Sequence, residues 1–343
     1  MIPHSRPTLG RAEARAADRA LASGHLAMGP EVAAFEREAA RWVGRRHAVA
    51  TSTGTAALQL SLAALGAGPG REVVCPSYVC SAVLNAVLAN RARPVVVDVD
   101  RETYHLTPAL VRKALTRRTA AVVVPHLFGR PAPVAGIARL GVPVVEDCAM
   151  TLGAGVGRSG EVTVLSFYAT KLLTSGGQGG MVLLDDRRLA EGVKDLVLHD
   201  NRERYRLRFN VQMTDLAAAV GRVQLGRLKG FLAIRKRLAD RYTRALRHLG
   251  IPYDADDPGR TWFRYTVEVR HARRAAKALA GHGVEAKPPV FNPLHRYLGL
   301  HPGRFPATEG IFRRTLSIPL YPSLSFAEQG RVIRAIQAGI LTP

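Results

Sequence analysis

From about residue 45 to residue 200 the chain alternates short β-branched apolar runs with stretches whose apolar positions recur every three or four residues. HAVATS (47–52) leads into TAALQLSLAAL, REVVCP (71–76) into SAVLNAVLA, RPVVVDVD (93–100) into TPALVRKAL, and TAAVVVPH (119–126) into PVAGIARL. PVVEDCA (143–149) opens a further unit, and TVLSFYAT and GGMVLLDD add two more strands. Strands that are apolar throughout suit burial on both faces, and strand–helix alternation suits parallel pairing. The pattern therefore predicts an α/β fold with a mostly parallel seven-stranded sheet between layers of helices. TDLAAAVGRVQLGRL and FLAIRKRLADRYTRALRHLG then read as long helical patterns. At the turn-rich DADDPG (254–259) the rhythm changes, giving strand FRYTVEVR, helix HARRAAKALAGHG, strand TLSIPLYP and helix SFAEQGRVIRAIQAG. The expectation is a large α/β domain over residues 1–250 and a small α+β domain over 251–343, with the N-terminal segment a candidate to pack on the small domain.

Composition adds one departure from an ordinary globular chain. The 343 residues carry a net charge of +22 and 49 Lys+Arg, of which 42 are arginine and seven lysine. The basic residues are dispersed, and no arginine-rich tail, aromatic RNA-binding motif or zinc-ligand spacing accompanies them, so nucleic acid is not the expected partner and no metal site is expected. An excess of positive charge also suits an enzyme for anionic small molecules. The three cysteines form no disulfide framework, which fits a reducing cytoplasm. No apolar run approaches the ~18 residues of a membrane span, so no membrane association is expected.

Candidate chemistry falls where ligands bind in open parallel sheets, at the carboxyl ends of strands. STGTAAL (52–58) turns from strand to helix through Gly54 and Thr55, so its amides suit a phosphate; the same pattern also describes a plain capped helix. VVEDCA ends a strand with Glu146 and Asp147, one of which needs a cation or protonated nitrogen if buried. His126, at another strand end, reads as structural before it reads as a pocket residue. SFYATK is followed by GGQGG, placing Lys171 after an apolar run. A partly buried lysine can become a nucleophilic amine, while a surface lysine beside a glycine hairpin would look the same. In this order, a phosphate cradle, an acidic group and a lysine suggest pyridoxal 5'-phosphate (PLP), which needs a Schiff-base lysine and an acidic partner for its ring nitrogen.

Longer motifs carry a resemblance over nearly the whole chain. SGHLAMGPEVAAFE, HAVATSTGTAALQLSLAALGAGPGREVVCPS, PVVVDVDRETYHL, VPHLFGRP, VVEDCAMTLGA, SFYATK, GGQGGMV, FNVQMTDLAAAVGRVQL, NPLH and LSIPLYPSLS follow one another as they do in the DegT/DnrJ/EryC1/StrS family, which the chain resembles. That family comprises PLP-dependent sugar aminotransferases of fold type I. The resemblance implies amino transfer from glutamate or glutamine to a keto sugar, most often nucleotide-linked. It makes Lys171 the Schiff-base lysine and acid/base, and Asp147 the partner of the pyridine nitrogen. Gly54, Thr55, Ala56 and Ser166 would hold the phosphate, with Cys80 and Met150 beside the ring. Asn210 would reach the cofactor phosphate of a second subunit, implying a homodimer with shared active sites. Tyr78, Gln178 and His295 would line the substrate pocket.

Four positions depart from the family pattern. Met150 stands where Gln or His is usual, Cys80 replaces a stacking aromatic, Gln178 replaces the Glu of GEGG, and Gln212 replaces a basic residue. Family members that dehydrate sugars have histidine at the lysine position; this chain keeps Lys171, which argues for amino transfer. A non-catalytic regulatory descendant is the reading from a different class, prompted by the four departures and the charge.

Overall fold

The computed structural model describes residues 1–153, 155–198, 200, 203–247 and 259–340. Helices α1 (Arg11–Ser23) and α2 (Pro30–Val43) precede a regular alternation: β1 (His47–Thr51), α3 (Gly54–Ala64), β2 (Glu72–Pro76), α4 (Ser81–Ala89), β3 (Arg93–Val97), α5 (Pro108–Ala114) and β4 (Thr119–Pro125). Next come α6 (Val134–Ala138), β5 (Val144–Asp147), β6 (Val162–Ser166), β7 (Gly180–Leu184), α7 (Arg187–Val197) and α8 (Asp215–Arg247). Last are β8 (Tyr265–Glu268), α9 (Ala272–Gly281), α10 (Leu294–Tyr297), α11 (Pro306–Arg314), β9 (Thr315–Ile318) and α12 (Phe326–Ala335). No helix among the described residues is long and apolar enough to cross a membrane.

β1 to β7 form one seven-stranded sheet in the order β1-β7-β6-β5-β4-β2-β3. β7 runs antiparallel to both neighbours, β1 and β6, and the other pairs are parallel. Alternate residues of each strand enter different cores, as the pleat requires. Cys75, Val123, Val145 and Val182 join the core that also holds Ala57 and Leu60 of α3, Val83 of α4 and Val193 of α7. Val74, Val122, Val124 and Val144 face the opposite way, onto Val111 and Ile137 of α5 and α6. Met181 and Leu183 meet Phe35, Ala39 and Leu228, from α2 and α8. The apolar strands are apolar because both their faces are covered.

The two long helical patterns after residue 214 form one 33-residue helix, α8. α1 and α2 both lie along it. Its first residue, Asp215, takes hydrogen bonds from the amides of Gly29 (2.9 Å), Glu31 (3.2 Å) and Val32 (2.9 Å), so one helix caps another that is 183 or more residues distant in sequence. The expected domain boundary at 250/251 lies outside the described residues. β8 and β9 form a separate two-stranded antiparallel sheet. Ile2 bridges Val284, and His4 Nε2 lies 2.9 Å from Ser317 Oγ, so the chain start is laid against this C-terminal sheet and its helices.

The 126–129 turn and the 261–264 segment cross at close range. Phe128 and Trp262 have φ of 58° and 50°, values that non-glycine residues seldom adopt. A Cβ at Gly129 would lie 2.6 Å from the Phe263 nitrogen, so only glycine permits the approach. The Thr261 amide donates to the Gly129 carbonyl at 2.8 Å and the Arg264 amide to that of Phe128 at 3.3 Å. This crossing presents Phe263 and Arg264 to the carboxyl edge of the large sheet.

Candidate active site

Parallel pairing brings the strand ends to one edge. Pro125 is in register with Asp147, Asp147 with Val164, and Ser166 with Gly180, which also faces Thr51. The residues just past these ends therefore share a cleft floor.

Asp147, the last residue of β5, is buried. The Ala149 amide donates to its Oδ1 at 2.9 Å, and no hydrogen bond to its other oxygen occurs among the described residues. Burial pushes its carboxyl up; the Ala149 amide, the Lys171 charge and His126 oppose that rise. Lys171 is half-buried in the β6–β7 connection, with Nζ 5.7 Å from the centre of the Phe263 ring. Burial lowers its pKa from the ordinary lysine value, and Arg264 adds to the fall, while Cys80 and Asp147 oppose it. The amine is thus coupled electrostatically to Asp147, Cys80 and Arg264. It loses its proton more readily than a solvated lysine does.

Gly54 opens α3 against Ser166. A Cβ at Gly54 would lie 2.7 Å from Ser166 Cβ, and one at Gly180 would overlap the Thr53 carbonyl. Glycine at both positions leaves the backbone bare where the helix begins. The first amides of a helix have no carbonyl partner within it, so those of Gly54 and Thr55 are available to an anion at the positive end of the helix. Ala56 is a correction to the expected cradle: its amide already donates to the N-cap hydroxyl of Thr53 at 3.0 Å. The Ser166 hydroxyl, half-buried, makes no hydrogen bond among the described residues and faces this helix start. A bare helix N-terminus, a free hydroxyl, a buried carboxylate with one open oxygen and a desolvated amine fit a phosphate-bearing pyridinium aldehyde.

Cys80 is the N-cap of α4; part of its surface is open, yet the surrounding protein pushes its thiol up, and it feels both Lys171 and Asp147. Met150 is half-buried and packs on the cores of both sheet faces. Gln178 is exposed and lines a neighbouring cleft of about 500 Å³ with Ser52, Ser175, Gln212 and Met213. Asn210 is exposed at the surface ahead of α8. A cleft of about 760 Å³ between α2, α8 and the 152–158 loop contains none of these groups.

Two expected pocket residues turn out to be internal. Tyr78 is fully buried, with ring centres 6.2 Å from both Tyr104 and Phe128, so its ring belongs to an aromatic core. His295 is also fully buried: Nδ1 meets Ser77 Oγ at 2.6 Å, Nε2 meets Glu309 Oε1 at 2.9 Å, and the ring stacks on Phe305. With both nitrogens engaged, His295 fastens the C-terminal helices to the turn after β2 and is enclosed by protein.

Glu146 and His126 form a second internal device. The Ala132 amide donates to His126 Nδ1 at 2.7 Å, which places the ring proton on Nε2, 2.9 Å from Glu146 Oε1. The amides of Gly157 (2.7 Å), Ser159 (2.9 Å) and Gly160 (3.0 Å) also donate to Glu146. Burial works to raise its carboxyl, but these donors hold it at about 2. His126, Glu146 and Cys148 bring ligand-type atoms within 4.8 Å of one another, but the imidazole and carboxylate are committed to this network. The His126 amide donates to the Asp147 carbonyl at 3.0 Å, so the network also fixes the strand end that carries Asp147. Glu146 is thus the structural member of the acidic pair and Asp147 the one facing the cleft.

Phe263 and Arg264 were not legible as site residues. They immediately precede β8, a strand of the other sheet, and nothing in FRYTVEVR marks either as lying near a lysine more than ninety positions earlier.

Fold and site together place the chain among enzymes that transfer amino groups. It belongs to the DegT/DnrJ/EryC1/StrS aminotransferase family, with the match spanning residues 7–337. The dTDP-3-amino-3,4,6-trideoxy-alpha-D-glucose transaminase of Streptomyces venezuelae is 35% identical, covering 95% of this chain and 92% of its own. Among solved structures, the aminotransferase TlmJ from Streptoalloteichus hindustanus is 36% identical with a TM-score of 0.91, covering 99% of both chains. NtdA from Bacillus subtilis, solved with bound cofactor PMP, is 27% identical with a TM-score of 0.89, covering 97% of this chain and 83% of its own.

Proposed function

We propose that this chain uses PLP to move an amino group from glutamate or glutamine to a nucleotide-linked keto sugar, in the cytoplasm and as a homodimer. The observation that carries the reading is the convergence of a desolvated lysine and a buried, half-satisfied carboxylate beside a helix start kept bare by glycine. The relatives' activities supply the substrate class: one is named as a transaminase of a dTDP-linked amino sugar.

The Gly54 and Thr55 amides with the Ser166 hydroxyl would hold the phosphate. Asp147 would accept the ring N–H through its open oxygen, keeping the ring nitrogen charged. Cys80 and Met150 would flank the ring, and Gln178 would border the substrate side. Bound there, PLP supplies an electron sink for the pair released when a proton leaves the amine-bearing carbon. Lys171, with its lowered pKa, is suited to take that proton and to return it on the other side of the reaction. Asn210, exposed next to the cleft that holds Gln178, is suited to reach into a second copy of the chain.

Borohydride treatment of the PLP-loaded protein followed by peptide mapping should place the pyridoxyl label on Lys171. Lys171→Ala should lower the transamination rate by at least about 10²–10⁴-fold, the usual weight of a positioned acid/base. Label on another residue, or none, would falsify the reading. A panel of nucleotide keto sugars offered to the aminated enzyme would identify the acceptor.

A further inference from the structure

The cleft of about 760 Å³ between α2, α8 and the 152–158 loop has no part in the chemistry above. α2 and α8 cover Met181 and Leu183 of β7, on the sheet face opposite α3 and α7, so the cleft lies away from the start of α3. Its volume is that of a small-molecule site. Val43, Leu152, Val156 and Leu225 give it a buried apolar lining, and half-buried Trp42 adds an aromatic surface.

Four cations stand around this lining. Arg222 is already paired, with Glu31 at 2.7 Å and Glu38 at 2.8 Å. Among the described residues no carboxylate pairs with Arg41, Arg158 or Lys229, all of them exposed. Lys229 Nζ lies 5.8 Å from the centre of the Trp42 ring. The Arg158 guanidinium lies against Gly44, where a Cβ would overlap it. A cleft lined by one sign of charge concentrates ligands of the opposite sign. Gly226 points the same way. Within a helix, glycine costs about 1 kcal/mol relative to alanine. A Cβ at Gly226 would meet nothing within 4 Å, so the chain's own packing does not call for glycine there, as Phe35 does at Gly221. The bare backbone widens the cleft.

We propose that this cleft is a second small-molecule site, separate from the lysine site, and that it binds a nucleoside diphosphate. The base lies on Trp42, and Arg41, Arg158 and Lys229 hold the diphosphate. A planar base matches an indole face, and guanidinium forks match phosphate oxygens. A small carboxylate would use the cations and leave the apolar lining bare, while an uncharged aromatic would do the reverse. The loop that walls the cleft continues into Gly157 and Gly160, whose amides hold Glu146 beside Asp147. An occupant would therefore brace the strand end that carries Asp147.

The two tryptophans allow a local test, because Trp262 is buried and does not line the cleft. Thymidine diphosphate added to the PLP-loaded protein should quench Trp42 fluorescence, and Trp42→Leu should lose that quench. Arg41→Gln and Arg158→Gln should each weaken the titration roughly 5- to 10-fold. Gly226→Leu should abolish it by filling the cleft, with a thermal melt no lower than wild type because leucine favours the helix. No Trp42 quench, a quench that survives Gly226→Leu, or wild-type affinity in both arginine variants would overturn the proposal. Inorganic pyrophosphate binding as tightly as the nucleotide would deny the indole its role, and a quench given only by oligonucleotides would make the cleft a nucleic-acid contact; either would overturn it too. None of these outcomes depends on activity at Lys171, so the site and the aminotransferase reading stand or fall separately.

Discussion

Glu146 and Asp147 are adjacent in sequence and opposite in role, because neighbouring side chains of a strand point to opposite faces. Glu146 is saturated by His126 and three loop amides, while Asp147 keeps one oxygen for the cleft. Replacing Glu146 with Gln turns an acceptor of several N–H groups into one that must also present its own, and should destabilise the protein by about 2–3 kcal/mol in urea melts near neutral pH. The sign with pH follows from its depressed carboxyl. A group ordinarily ionising near 4.5 and held at about 2 in the folded chain lends stability that is complete above 4.5 and is lost as pH falls toward 2. His105 acts in the same direction. Burial, His126 and Arg130 hold it at about 3, so the folded chain keeps it neutral while the unfolded chain protonates it below about 6.5. Its Nε2 accepts the Leu127 amide at 3.1 Å, tying the turn that carries the strained Phe128. The wild-type melt midpoint should therefore fall progressively between pH 6.5 and 3, and Glu146→Gln should flatten the acid half of that fall. An equal slope in wild type and variant would contradict the assignment.

Helices and strands were readable wherever an element's own residues supply its periodicity. The strand runs became β1 to β7 because both faces of each are covered, and SAVLNAVLA became α4. Joining two helical patterns into α8 was less visible, since Gly221, Gly226 and Gly230 weaken a helix locally and only packing against α1 and α2 outweighs that. Gly221 is needed there, because a Cβ would lie 2.7 Å from the ring of Phe35. The cap of α2 was hidden entirely: its acceptor is Asp215, supplied by another helix. Asp215→Ala would leave three amides without that acceptor in a buried setting and should cost about 1–2 kcal/mol, with Asp215→Asn recovering part of it in thermal melts. Full stability in the alanine variant would mean that other acceptors replace the aspartate.

At the scale of the whole molecule, the site is drawn from the edge of one sheet and from a segment entering the other. If Asn210 serves a partner's site, Lys171→Ala and Asn210→Ala chains should complement when mixed and allowed to exchange. Random pairing makes half the dimers mixed, each with one intact site, so about a quarter of wild-type activity should return. No recovery would place Asn210 in its own subunit's site or outside the site. The sequence by itself determined the fold class and marked the strand ends where Lys171, Asp147 and the glycines lie. Those follow from local periodicity and from motifs whose members are neighbours in the chain. It misplaced Tyr78 and His295, because a motif records that a residue matters and not whether its side chain faces a cleft or a core. Only the tertiary structure separated Glu146 from Asp147, committed the Ala56 amide to Thr53 and brought Arg264 to Lys171 through the crossing at Gly129. Most of those depend on a contact between segments remote in sequence, and burial, which lowers the Lys171 pKa and raises that of Asp147, exists only once they have met.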